Sequence, residues 1–142
     1  MPDGSRPDIG RPVPFFMVAD MQAALKFYVE GLGFRVANTW EPSGFIEWCW
    51  LDRGGVALML QQYREGRLPE ERRGVGVSIC FQCEDALALY REFVAKGLEP
   101  RRPFVGNRMW DVAIADPDGY SLHFESPTEV PEETEYDPAV HG

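Results

Sequence analysis

Two stretches of this chain, 64 positions apart, carry the same pattern. Asp52-Arg53-Gly54-Gly55-Val56-Ala57-Leu58-Met59 lines up with Asp116-Pro117-Asp118-Gly119-Tyr120-Ser121-Leu122-His123. The same shift pairs Gly33 with Gly97, Ala24 with Ala88 and Phe16 with Cys80. Such a copy predicts two half-size modules with a cleft between them, and a site built from equivalent positions of the two. Here those positions hold Met59 and His123, so a symmetric pair of metal ligands is already broken.

Composition sets the outer limits. An apolar content of 44% fits a globular chain, and at this length folding buries roughly 68–70% of the unfolded surface without help from disulfides. A formal charge of −9 argues against nucleic acid, which needs a basic face. It suits a cationic or neutral small ligand. Much of the charge is local, because Glu129, Glu132, Glu133, Glu135 and Asp137 lie in a tail without Lys or Arg. Residues 1–12 read as a polar Pro/Gly-rich extension with no apolar leader core, and no segment approaches transmembrane length. Three cysteines, an odd number, predict free thiols in a cytoplasmic protein. Cys80 and Cys83 have redox or zinc spacing. They sit at the end of an apolar strand-like run, however, where residues three apart face opposite ways.

Each half reads as strand, helix and three strands. In residues 13–62, an apolar run from Val13 to Val18 precedes Asp20, a good helix N-cap. Ala23, Ala24, Phe27, Tyr28 and Leu32 recur at helical spacing up to Gly33. Extended stretches follow at Phe34–Trp40, Phe45–Leu51 and Val56–Gln62. Residues 75–127 repeat this, with a strand to Gln82, a helix from Glu84 or Asp85 to Lys96-Gly97, and strands at Leu98–Phe104, Met109–Ala115 and Tyr120–Glu125. Residues 63–74 read as the linker. The tail, 128–142, is expected to be disordered or to form an arm on a partner subunit.

Val18-Ala19-Asp20, Phe27-Tyr28, Leu32-Gly33-Phe34 and Asp116-Pro117-Asp118-Gly119-Tyr120 occur in this order within the repeated plan. Together they make the chain resemble the vicinal oxygen chelate superfamily of glyoxalases, bleomycin-resistance proteins and extradiol dioxygenases, from about Val13 to Pro127. The resemblance implies an α+β fold in which two βαβββ modules in tandem form a curved mixed sheet around a cleft. Enzymes of that family hold a divalent metal through residues at the start of each first strand and near the end of each fourth. Here those positions fall at Val13 or Pro14, Met59, Val77 or Ser78, and His123. His123 alone is a good ligand for such an ion, so no metal or other cofactor is expected.

Strand alternation suggests what lines the cleft instead. Leu58 and Leu60 should lie under the helices and Met59 and Gln61 opposite; His123 and Glu125 alternate likewise with Leu122 and Phe124. Ser78, Cys80, Gln82, Met109 and Asp111 join the cleft side, and the 64-residue shift carries Met109 to Phe45 and Asp111 to Glu47. The expected ligand-binding set is therefore Phe45, Glu47, Met59, Gln61, Asp111, His123 and Glu125. Trp48, Trp50 and Trp110 take the helix-facing parity and are expected in the core. The plainer alternatives are solvent-facing acids on exposed strands and a hydrogen-bonded core histidine.

Two functions follow from the resemblance. One is a metal-free protein that sequesters a cationic or neutral aromatic ligand in an acidic cleft, as in antibiotic resistance. The alternative is a glyoxalase-like lyase, isomerase or dioxygenase with Zn, Mn or Fe on Glu47, Asp111, His123 and Glu125. For a metal-free reaction His123 and Glu125 are the acid/base candidates. The expected partners are a small molecule and a second copy of the chain, with neither nucleic acid nor membrane.

Overall fold

Asp20 and Asp85 each end a first strand and start a helix. In the computed structural model, which describes residues 7–142, Asp20 Oδ1 accepts the Gln22 and Ala23 amides and Asp85 Oδ1 accepts that of Ala88. The first half runs β1 (Phe15–Val18), α1 (Met21–Leu25) continuing as a π-helical turn (Lys26–Gly31), β2 (Arg35–Trp40), β3 (Trp48–Arg53) and β4 (Val56–Gln62). The second runs β5 (Ser78–Gln82), α2 (Ala86–Ala95), β6 (Phe104–Gly106), β7 (Met109–Ala115) and β8 (Ser121–Pro127), followed by α3 (Pro138–His141). Each half makes a four-stranded sheet, ordered β1-β4-β3-β2 and β5-β8-β7-β6. Its outermost strand of the β1/β5 kind pairs in parallel and the others antiparallel. This is the α+β plan expected from the repeat. The first six residues of the expected extension lie outside the described residues.

The two sheets share one core through their helix-covered faces. Phe16, Val18, Cys49, Leu51, Leu58 and Leu60 from the first meet Phe81, Val112, Ile114, Leu122 and Phe124 from the second. Phe16 stacks on Tyr120 at 4.3 Å, and Phe34 lies 6.3 Å from Phe81. A polar lock joins the halves, in which the Tyr28 hydroxyl donates to Asp116 Oδ2 at 2.7 Å. Gly33 closes the first helix at φ +79, where a Cβ would come 2.9 Å from the Arg53 guanidinium. No described helix is long and apolar enough to cross a membrane.

The internal copy does not keep one register. Phe15 pairs with Met59 and Cys80 with His123, so the first strands are offset by 65; the fourth strands are offset by 64. Trp50 pairs with Met59 and Ala113 with His123, an offset of 63 for the third strands. One residue is absorbed by the π-helical turn, where the Leu32 amide reaches back five residues to the Phe27 carbonyl at 2.8 Å. Another is absorbed in the longer β2–β3 connection, and the longer β7–β8 turn restores the difference. On a strand a one-residue slip exchanges the faces.

The slip overturns one placement. Cys49 and Leu51 are fully buried while Trp48 and Trp50 are only half-buried, so these two tryptophans face away from the helices. Trp110 is in the core as expected. The stretch Leu98–Phe104 is also not a strand until its last residue, and β6 is only three residues long.

The tail is another correction. It is neither disordered nor free to be an arm, because it straps the β6 edge of its own sheet. The Val105 amide donates to Thr134, Glu133 donates back to Val105, and the Tyr136 amide donates to Pro103, all at 2.8–2.9 Å. The Tyr136 ring is buried against Tyr90 and Trp110, with ring centroids 5.3 and 6.3 Å away. The backbone and one aromatic ring do most of the holding, helped by Glu132, which accepts the Arg108 amide at 3.1 Å, and by an exposed Glu135–Arg102 pair at 3.5 Å.

Candidate functional site

With their helix faces joined, each sheet leaves its other face uncovered. The open face of the second sheet carries Ser78, Cys80 and Gln82 from β5, and Ser121, His123 and Glu125 from β8. From β7 it carries Asp111 and Ala113. His123 Nδ1 lies 2.9 and 3.1 Å from the two Asp111 carboxylate oxygens, and Ser121 Oγ lies 3.3 Å from Nε2. A carboxylate only accepts, so Nδ1 carries the proton and Nε2 of the neutral ring is the lone pair. That is the arrangement of a base able to take a proton from a ligand hydroxyl. Asp111 is 11% exposed at its side chain and His123 22%, so the pair is held largely out of water. Glu125 accepts from Gln82 Nε2 at 2.8 Å. Cys80 is exposed beside His123, and burial followed by the Glu125 and Asp111 charges raises its thiol pKa. Cys83 lies on the core side, its thiol donating to the Glu125 carbonyl at 3.4 Å. The two thiols thus face opposite ways, as strand alternation requires.

The open face of the first sheet is different in kind. Its pairing rows run Phe15–Met59–Trp50–Asn38 and Met17–Gln61–Trp48–Trp40. Phe15 and Trp40 are 47% and 49% exposed, a large apolar area for a sheet surface. No carboxylate belongs to these rows.

Asp111, His123 and Glu125 are therefore brought together, and Met59 and Gln61 stand on the other sheet. Phe45 and Glu47 join neither group. Both precede β3; Phe45 is half-exposed, and Glu47 has the parity of Cys49 and accepts from Ser43 Oγ at 3.1 Å. The uniform 64-residue shift misplaced them, and Trp48 is the true counterpart of Asp111. Trp48 and Trp50 were missed, whereas strand alternation already gives Ser121 the same face as His123. Counting turn lengths between the strands was the available signal.

A family-type metal does not fit these residues. The 65-residue offset of the first strands aligns Val13 with Ser78, so the four positions hold valine, methionine, serine and a histidine engaged by Asp111. Among the described residues no three His, Cys, Asp or Glu side chains stand close enough to share an ion. The alternative set of Glu47, Asp111, His123 and Glu125 is thus not assembled.

A cavity of about 550 Å³ lies elsewhere, at the seam between the β3–β4 hairpin and α2. Phe34, Phe81 and Phe124 form its floor. The Arg53–Glu92 pair, bridged at 2.6 and 3.0 Å, forms part of its wall.

A family model described as Glyoxalase/Bleomycin resistance protein/Dioxygenase superfamily matches residues 11–124. No curated protein matches the chain. Among solved structures, a glyoxalase/bleomycin resistance protein/dioxygenase from Nocardioides is 19% identical with a TM-score of 0.63, covering 92% of this chain and 93% of that one. TnmS3, an antibiotic binding protein from Streptomyces, is 22% identical with a TM-score of 0.65, covering 87% and 100%. A lactoylglutathione lyase from Agrobacterium tumefaciens is 18% identical with a TM-score of 0.63, covering 85% and 96%. At these identities the structures share the fold, and the match over residues 11–124 places this chain in the glyoxalase/bleomycin resistance protein/dioxygenase superfamily.

Proposed function

We propose that this protein binds a flat aromatic small molecule, neutral or cationic, without the family metal. The aromatic face of one copy and the His123–Asp111 face of a second copy enclose the ligand. The row Phe15–Met59–Trp50, flanked by Trp48 and Trp40, carries the reading. An uncharged aromatic surface of this kind supplies stacking area, and the opposing face supplies a few polar groups, as small-molecule pockets do. The fold neighbour described as an antibiotic binding protein supports the same class of function. Glu125, which forms no ion pair among the described residues, biases the face towards positive ligands.

Titration with a flat polycyclic cation, followed by tryptophan emission, tests this. Saturable quenching is expected, weakening as salt rises, with affinity about tenfold lower in Trp50→Ala. Sedimentation of the same samples should show a dimer. Absence of quenching, or an unchanged Trp50→Ala, would remove the proposal.

The metal question has its own experiment. Protein purified without chelator is expected to carry no stoichiometric Zn, Mn, Ni or Fe, given Val13, Met59 and Ser78 at the ligand positions. A stoichiometric ion lost on His123→Ala would instead make this a metalloenzyme of the glyoxalase type.

A further inference from the structure

Residues Arg72 to Ser78 connect the modules, and they are held more firmly than a linker needs. Arg73 Nη2 donates to Asp118 Oδ1 at 2.6 Å, with the two side chains 19% and 3% exposed. Gly74 has φ +74, and a Cβ there would come 2.7 Å from the Tyr120 ring. The Val77 amide turns back onto the Gly74 carbonyl at 3.1 Å. This pinned loop and the start of β8 enclose a recess of about 240 Å³.

The lining of that recess is unlike the rest of the molecule. In a chain of net charge −9, its walls are two arginines, glycine and valine residues, Ser78 and Ser121, with no carboxylate. Asp118, the nearby acid, is buried and already engaged by Arg73 and the Ala19 amide. Arg72 makes no ion pair among the described residues and lies across Gly119, its Nε 3.6 Å from where a Cβ would sit. Arg73 Nε is buried and has no partner among the described residues, an unmet donor of a kind native structures rarely keep.

We propose that this recess is an oxyanion subsite, taking a phosphate or carboxylate group on Arg72, Ser78 and Ser121. Guanidinium and hydroxyl donors without a competing acid are the chemistry that recognises such a group. Its position gives the open face a charge polarity. Ser78 and Ser121 form one pairing row and Gln82 and Glu125 another, four residues along the strands and roughly 13 Å away at ~3.3 Å per residue. Between the two ends lies His123, whose Nε2 is within 3.3 Å of Ser121 Oγ.

The proposal goes beyond aromatic binding, and the two fail separately because the readouts differ. Isotope-labelled protein would be titrated with inorganic phosphate and, in parallel, with acetate, following backbone amide shifts. Saturable shifts confined to Gly74–Ser78 and Ser121 are expected, with affinity about tenfold weaker in the exposed variant Arg72→Gln and unchanged in Arg35→Gln. Response to phosphate alone identifies a phosphate subsite, and response to both identifies a general oxyanion subsite. Shifts spread over other arginines, or indifferent to Arg72→Gln in a variant that melts like the parent, would overturn it.

Discussion

Replacing Asp116 with alanine is expected to lower stability by about 3 kcal/mol, a fall of roughly 6–12 °C in melting temperature for a chain near this size. Asp116 is 5% exposed and is one of the polar ties between the two modules. Its Oδ2 accepts the Tyr28 hydroxyl at 2.7 Å, and its Oδ1 accepts the amides of Asp118 and Tyr120 at 2.9 Å each. Alanine would strand all three donors in the interior, which costs more than any single bond contributes. Asparagine keeps an acceptor and should cost far less.

The same carboxyl sets a pH dependence. Burial raises its pKa above the ordinary value, while the Tyr28 hydroxyl and the two amides pull the other way without cancelling it. A folded pKa above the unfolded one favours folding fully below the unfolded value, about 4. That contribution is lost as pH rises through the folded value. Asp116→Asn should therefore gain relative to the parent as pH increases from 4 to 7 in chemical denaturation. A gap for Asp116→Ala below about 1 kcal/mol would show that this lock adds little to the joining of the halves, and a pH-independent difference for Asp116→Asn would show that folding does not raise this carboxyl's pKa.

Tyr136→Ala should be as damaging, by about 3–4 kcal/mol, the range for a buried aromatic ring. Its ring is 7% exposed and touches Tyr90 and Trp110 edge-on. Removing it leaves a cavity beside Trp110 and frees the strap from β6. Hydrogen exchange at the Val105 amide, which donates to Thr134, should speed up at the same time. The β6 edge would then be open for pairing with another chain, and aggregation should rise. Unchanged stability together with unchanged Val105 protection would mean that the tail is not seated there.

Much of the fold was legible in advance, for reasons that are local. Asp20 and Asp85 cap helices because a short carboxylate reaches the amides of the next turn. Leu122 and Phe124 alternate with Ser121, His123 and Glu125, and alternation is what a sheet with one covered face requires. His123 and Asp111 were both assigned to the same face, and they proved to be hydrogen-bonded to each other. The misplaced strand faces have a single mechanical origin. Glu47 and Phe45 were placed by carrying one offset through the whole chain, whereas a π-helical turn and unequal connections change that offset by one residue at a time. Each such step moves a strand's side chains from one face to the other, and it exchanged Trp48 and Trp50 with Cys49 and Leu51.

The sequence by itself determined the repeat, the helix and strand order, and the thioether of Met59 opposite His123, because these depend on residue type and near neighbours. Tertiary structure alone decided which faces stay open, since that follows from the modules joining through Phe16, Tyr28, Phe34 and Phe81. It also decided that Tyr136 anchors an acidic tail, as net charge says nothing about a backbone pairing with a free sheet edge. Arg72 and Arg73 looked like solvated linker charges. Only packing against Asp118 and Tyr120, more than forty residues away, turned them into the wall of a recess.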